Sequence, residues 1–386
     1  MNSSKRLERI PPYLFAEINK KIAEAKKRGV DVISLGIGDP DMPTPKPIID
    51  VLEKEANNPK NHQYPDYEGL LAFRTAVSQW YKRRHNVDLD PEKEVLTLIG
   101  AKEGSVHLSI AFLNPGEVAL IPSPGYTVYK TAAIMTDAEP YEMPLLEENE
   151  FLPALRAIPS DVVKKTKLLY LNYPNNPTGA VAGKEFYKEV IDFANDNKII
   201  VCSDNPYSET GYDGYKPLSF LEIPGAKEVG VEMNSLSKPY NMTGWRVGMA
   251  VGNADIIKGM GISKSNTDSG VFNAIQYAAI KALSLPDSHI ENLMKIYQKR
   301  RDLVLDTFKK VGLKAFKPKA AFYIWTKVPD GETSASFATK ILEKTGVVIT
   351  PGAGYGKTGE GYFRISLTVP DERLKEAMQR IEKVLA

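Results

Sequence analysis

The chain of 386 residues holds a single cysteine, Cys202. No disulfide can form within it, which excludes a disulfide-stapled framework and points to a reducing compartment, the cytoplasm. No apolar run approaches the roughly 18 residues of a membrane span. The opening stretch, MNSSKRLERIPPYLF, lacks the apolar core of a secretory signal. An excess of one charge is missing too. Lys and Arg number 50 against 48 Asp and Glu, so the net charge of +2 offers no field for nucleic acid or anionic lipid. The four histidines, His62, His85, His107 and His289, show no metal-ligand spacing, so no metal site is expected.

What is present has an order. The length predicts more than one core. Between about Pro47 and Leu285 apolar strand-like segments alternate with helix-like ones: EVLTLIG, GSVHLSIAFLN, EVALIPSP, KLLYLNYP, KEFYKEVIDFANDN, KIIVCSDN. This pattern predicts an α/β fold with a mostly parallel mixed sheet between helices. The last hundred residues read as an α+β unit: a long charged helix, short strands at FYIWTKV, GVVITPG and GYFRISLT, and a closing helix near Asp371. The expected division is a large domain at 46–285 and a small one made of 1–45 with 286–386.

In open α/β sheets ligands bind beyond the carboxyl ends of the strands. Three such ends carry chemistry. KLLYLNYP leads to Asn176 in NNPTG, KIIVCSDN to Asp204 and Tyr207, and VEMNSLS to Lys238. Singly, each has an ordinary explanation: a turn amide, a capping carboxylate, a solvated lysine. Jointly they supply what pyridoxal 5′-phosphate requires. Lys238 offers the amine, Asp204 a partner for the pyridine nitrogen, and Tyr207 and Asn176 hydrogen bonds to the ring oxygen. Ser235, Ser237 and Arg246, on the same SLSKPYNMTGWRVG stretch as Lys238, would hold the phosphate. The backbone amides of Ala101 and Lys102, at the strand-to-helix turn GAKEG, would complete the cup.

These residues resemble class I/II aminotransferases of fold type I over essentially the whole chain. The matching motifs are YPDYEGLLAFR, GAKEG, PSPGY, NYPNNPTG, SDNPY, SLSKPYNMTGWRVG and YFRIS, in the family's order. The resemblance implies a homodimer that moves an amino group between an amino acid and a 2-oxo acid by a ping-pong mechanism. It implies that Lys238 carries the cofactor, that Tyr126 stacks on its ring, and that Tyr64 reaches the phosphate in the partner subunit. It also makes Arg364 the bidentate holder of the substrate α-carboxylate, with Gly38 and Asn176 assisting.

Within the family the chain is most similar to LL-diaminopimelate aminotransferases and their aspartate-aminotransferase-like relatives. That similarity adds Tyr13, Lys102 and Asn266 on the substrate side and implies 2-oxoglutarate as acceptor in lysine biosynthesis. The segment 262–276 carries no arginine for a distal carboxylate. Its polar groups, Lys264 among them, suit a substrate ending in both ammonium and carboxylate. An aspartate or broad-specificity aminotransferase is the alternative. A lyase of the same fold, a non-catalytic regulator and a nucleotide-binding protein are rivals. The last rests on GAGYGKTGEG alone, which has Pro351 where a phosphate loop needs glycine.

Overall fold

The computed structural model describes residues 3–12 and 14–385. In chain order its strands are β1 (Ile33–Ser34), β2 (Val95–Leu98), β3 (Val118–Ser123), β4 (Glu139–Pro144), β5 (Thr166–Leu171), β6 (Ile200–Asp204), β7 (Gly230–Ser235), β8 (Gly248–Gly252), β9 (Ala315–Phe316), β10 (Tyr323–Lys327), β11 (Val347–Val348), β12 (Thr350–Pro351) and β13 (Tyr362–Ser366). Seven of them form one sheet in the order β2-β8-β7-β6-β5-β3-β4. Only β8 runs against its neighbours, so the sheet is mixed and mostly parallel.

The centre of this sheet shows why its strands read as unbroken apolar runs. Along β5, Leu168 and Tyr170 face one core with Cys202 and Val231, while Leu169 and Leu171 face another with Val201. Side chains alternate between faces, and here both faces are covered. The helix Lys184–Asn197 covers one of them with Phe186, Tyr187, Val190, Ile191 and Ala194, spaced for a single helical stripe. The edge strand β4 escaped the sequence reading. Its Pro140 and Pro144, and its lack of an apolar run, suit an edge and disguise a strand.

A second, antiparallel sheet runs β12-β13-β10-β9. It packs with the helices Asp287–Lys310, Ser334–Thr345 and Asp371–Leu385 around Phe322, Ile324, Phe363 and Ile365. The stretch GVVITPG, expected as one strand, is split between β11 and β12. β1 pairs in parallel with β11, Ile33 opposite Val347, and Ser366 N donates to the Leu35 carbonyl at 2.7 Å. An early segment is thereby stitched to the late part of the chain.

Leu169 is fully buried between the large sheet and its covering helices. Leu169→Ala is expected to lower the unfolding free energy by about 2–5 kcal/mol, read from denaturant titration.

Candidate active site

The strands β2, β3, β5, β6 and β7 are mutually parallel, so their carboxyl ends lie along one edge of the sheet. β8 returns from that edge, Gly248 opposite Ser235. Residues 236–247 therefore form one turn hung over the edge, and both Lys238 and Arg246 ride on it. A cleft of about 340 Å³ opens there. Of the residues singled out in the sequence, Gly38, Ala101, Lys102, Tyr126, Asn176, Asp204, Tyr207, Ser235, Ser237, Lys238 and Arg246 all line it.

Asp204 ends β6, and its carboxylate is buried. Tyr129 donates a 2.5 Å hydrogen bond to Oδ2, and among the described residues Oδ1 has no partner. Burial pushes the carboxyl up to about 6, with the charge of Glu232 acting the same way and the Tyr129 bond opposing. One hydroxyl bond to a charged group is worth about 1.5–3 kcal/mol, against several for desolvating a carboxylate, so burial prevails. A cation at Oδ1 would restore the balance. Asn172 fixes the strand end by donating to the Asp204 carbonyl at 2.7 Å.

Lys238 is half-buried and donates to the Gly38 carbonyl at 2.9 Å. Burial lowers its amine to about 8, helped by Arg364 and Arg246 and opposed by Asp39. On one side of it lies an anion cup. The helix Ala101–Phe112 begins here, and its first amides carry the partial positive charge of a helix N-terminus. Gly100 has φ +81, and a Cβ there would sit 2.3 Å from Arg246 Nη2, so the turn must be glycine for the guanidinium to reach the helix start. Arg246 is exposed and held by the carbonyls of Thr243 at 2.8 Å and Ile99 at 3.3 Å.

Arg364, on β13, does not line the cleft; it is fully buried behind it. It donates to Asn176 Oδ1 at 2.7 Å and to the Gly36 carbonyl at 2.6 Å. Its guanidinium lies 4.2 Å from the ring centre of Tyr323. Tyr323 lines the cleft, and its hydroxyl meets that of Tyr207 at 2.8 Å. Sequence reading missed Tyr323 and Tyr129. Tyr129 lies one helical turn beyond Tyr126, the signal that could have found it; Tyr323 sits in a strand that reads as core.

Tyr64 is 88 % exposed and lies outside the cleft. Asn266, at the end of the helix Ala254–Ser265, is exposed and bonds to the Ile262 carbonyl at 2.8 Å. Neither lines the cleft of its own chain. Tyr13 lies outside the described residues. Lys264 is not available to a substrate, contrary to expectation. It is fully buried, bonded to both Asp268 carboxylate oxygens and 3.3 Å from Glu103. His107 joins this cluster, 3.0 Å from Ser263 Oγ and 3.5 Å from Asp268. Glu103, His107 and Asp268 turn ligand-type atoms within 4.8 Å of one another, and the Lys264 amine supplies positive charge beside them. Among the described residues no helix is long and apolar enough to cross a membrane.

Residues 30–381 match the family model for aminotransferase class I and II. The chain is 57% identical to the LL-diaminopimelate aminotransferase of Moorella thermoacetica, over 100% of this chain and 99% of that one. Among solved structures it is similar to substrate-bound BacF from Bacillus subtilis, with a TM-score of 0.95 at 40% identity, covering 100% of this chain and 98% of that one. It also resembles aspartate aminotransferase from Thermus thermophilus with maleate, TM-score 0.92 at 29% identity over 100% of both.

The raised carboxyl of Asp204 has a consequence for the ligand-free protein. Its protonated form is favoured by folding, so its contribution is present below the ordinary value of 3.8 and is lost as pH rises through about 6. Asp204→Asn is expected to flatten that fall in stability across this window, measured by thermal unfolding without ligand.

Proposed function

The chain belongs to aminotransferase class I and II; from that premise we propose that it transfers the amino group of LL-diaminopimelate to 2-oxoglutarate in lysine biosynthesis. The enzyme is an aminotransferase, and its cofactor is pyridoxal 5′-phosphate. The cleft fits this group by its own chemistry. Asp204 Oδ1 is an open, buried acceptor for a protonated ring nitrogen, and the cup at Gly100–Lys102 with Ser235, Ser237 and Arg246 suits a phosphate. The observation that carries the reading is Lys238, a half-buried amine that lines the same cleft as that acceptor and that cup.

Bound there, pyridoxal 5′-phosphate supplies the carbonyl that accepts the amino group and the electron sink that makes the substrate α-proton acidic. The chain's residues do the rest. Lys238 Nζ, with its lowered proton affinity, would take the proton from the substrate Cα and hold it for return on the cofactor side. Asp204 would hold positive charge at the ring nitrogen, Tyr207 and Asn176 would hold the ring oxygen, and Tyr126 would cover the ring. Arg364 is assigned to the α-carboxylate with Gly38 and Asn176 on the strength of its planar fork; it stands behind the cleft against Asn176, which lines it, so this role requires its fork to be uncovered there. Ping-pong kinetics follow, since the amino donor's product leaves before the acceptor enters.

The specificity reading is supported by the identity to the Moorella enzyme and by Lys102 at the cleft. We assign Tyr13, Lys102 and Asn266 to the substrate side, and Tyr64 and Asn266 to the site of a second subunit in a homodimer. Supporting the dimer is an exposed apolar surface: Tyr64, Tyr67 and Leu71 on one stretch, Ile262 and Phe272 on another, with Gly270 of the second stretch close against Pro65 of the first. The division into 46–285 and 1–45 with 286–386 is part of the same proposal, supported by the β1–β11 pairing. So is a cytoplasmic location, supported by the lone buried thiol.

Lys238→Ala is expected to lower kcat by at least about 10⁴-fold, because proton transfer and cofactor anchoring are lost together, while some cofactor stays in the cup. Stopped-flow single turnovers measure this. The absorbance of the cofactor-loaded enzyme is expected to convert from the pyridoxal to the pyridoxamine form on adding LL-diaminopimelate and to stay unchanged with aspartate. Conversion by aspartate alone would show an aspartate aminotransferase instead.

A further inference from the structure

Resting on this assignment of the cleft, we infer that the Tyr323 hydroxyl is a positioning group that donates to Tyr207 and so leaves the Tyr207 proton free to point at the cofactor's ring oxygen. The two hydroxyls lie 2.8 Å apart and both residues are buried, so one of them must donate to the other. The surroundings decide which. The Arg364 guanidinium stands 4.2 Å from the Tyr323 ring centre, and a cation over a phenol ring favours negative charge on its oxygen. Asp39 acts on Tyr323 in the opposite sense and more weakly than Arg364. Burial holds the proton on both phenols and raises Tyr207 well above its ordinary value; the neighbouring Tyr323 adds to that, Arg364 opposes it, and Asp204 contributes least. Tyr323 is therefore the better donor of the pair and Tyr207 the acceptor.

The arrangement is locked by packing. A Cβ on Gly38 would stand 2.2 Å from the Tyr323 hydroxyl oxygen, so the ring fills the space that glycine leaves. The Gly38 carbonyl in turn receives the Lys238 amine. One phenol thus touches the elements that hold the carboxylate, the ring oxygen and the amine. Nothing in the family motifs quoted above assigns it a task.

Tyr323→Phe removes the hydroxyl and keeps the ring under Arg364. The pH midpoint of the bound cofactor's absorbance is expected to rise by about half a unit, since Tyr207 still donates to the anionic ring oxygen but, no longer polarised by the Tyr323 donor, does so more weakly. kcat is expected to fall about 2- to 10-fold, with KM for the amino donor changed less than about 2-fold. An unmoved midpoint overturns the inference, whether KM stays the same or rises; a rise alone would mean that Tyr323 only props Arg364. If Tyr323→Phe does not fold, Gly38→Ala displaces the same hydroxyl and is expected to raise the midpoint likewise; no rise there overturns the inference as well. A wild-type protein that shows no cofactor absorbance, even with pyridoxal 5′-phosphate added, overturns the cleft assignment itself and this inference with it.

Discussion

A guanidinium with no exposed surface is the constraint around which the rest of the structure is arranged. Arg364 belongs to the small sheet, its carbonyl partner Gly36 to an early segment, and its amide partner Asn176 to the turn that leaves the large sheet. Burying a fixed positive charge costs several kcal/mol unless its donors are met with good geometry. The three parts of the chain must therefore agree in position to satisfy one side chain. Tyr323 and Tyr355 add ring faces 4.2 and 5.0 Å from its centre, which hold the plane of the fork. One buried guanidinium acts in this way as the pin between the sheets.

The cleft pairs two groups whose protonation is pushed in converging directions. Burial raises the carboxyl of Asp204 to about 6 and lowers the amine of Lys238 to about 8. Each is uncomfortable as a lone ion, and each would be relieved by the proposed guest: a ring nitrogen that can carry a proton for the one, an aldehyde that consumes a neutral amine for the other. Tyr129 steadies the carboxylate without neutralising it. Perturbed groups that a single ligand would settle together are the physical mark of a functional site rather than of a structural ion pair.

Much of this is legible in the sequence. Strand ends are local events: an apolar run stops and a polar residue follows, so Asp204, Asn176 and Lys238 could be picked out from the sequence alone. The anion cup was legible for the same reason, since Gly100 sits where a strand turns into a helix. What stayed hidden depends on contacts between distant residues. Tyr129 reaches Asp204 across 75 positions and Tyr207 meets Tyr323 across 116, and no spacing rule reports such pairs. Lys264 was misread because a lysine is ordinarily solvated; only the fold brings Glu103 and Asp268 around it. β4 was missed because an edge strand carries prolines and needs no apolar run.

The large sheet closes with β8 at Gly252, whereas Tyr323 and Arg364 arrive on β10 and β13, the latter on the order of a hundred residues later. The anion cup, Asp204 and Lys238 all precede that gap. A chain emerging from the ribosome folds in units, early ones first. It can therefore shape a pocket for the cofactor while Arg364 and Tyr323 behind that pocket are still unsynthesised. The order of translation thus separates the making of a cofactor binder from the making of an enzyme.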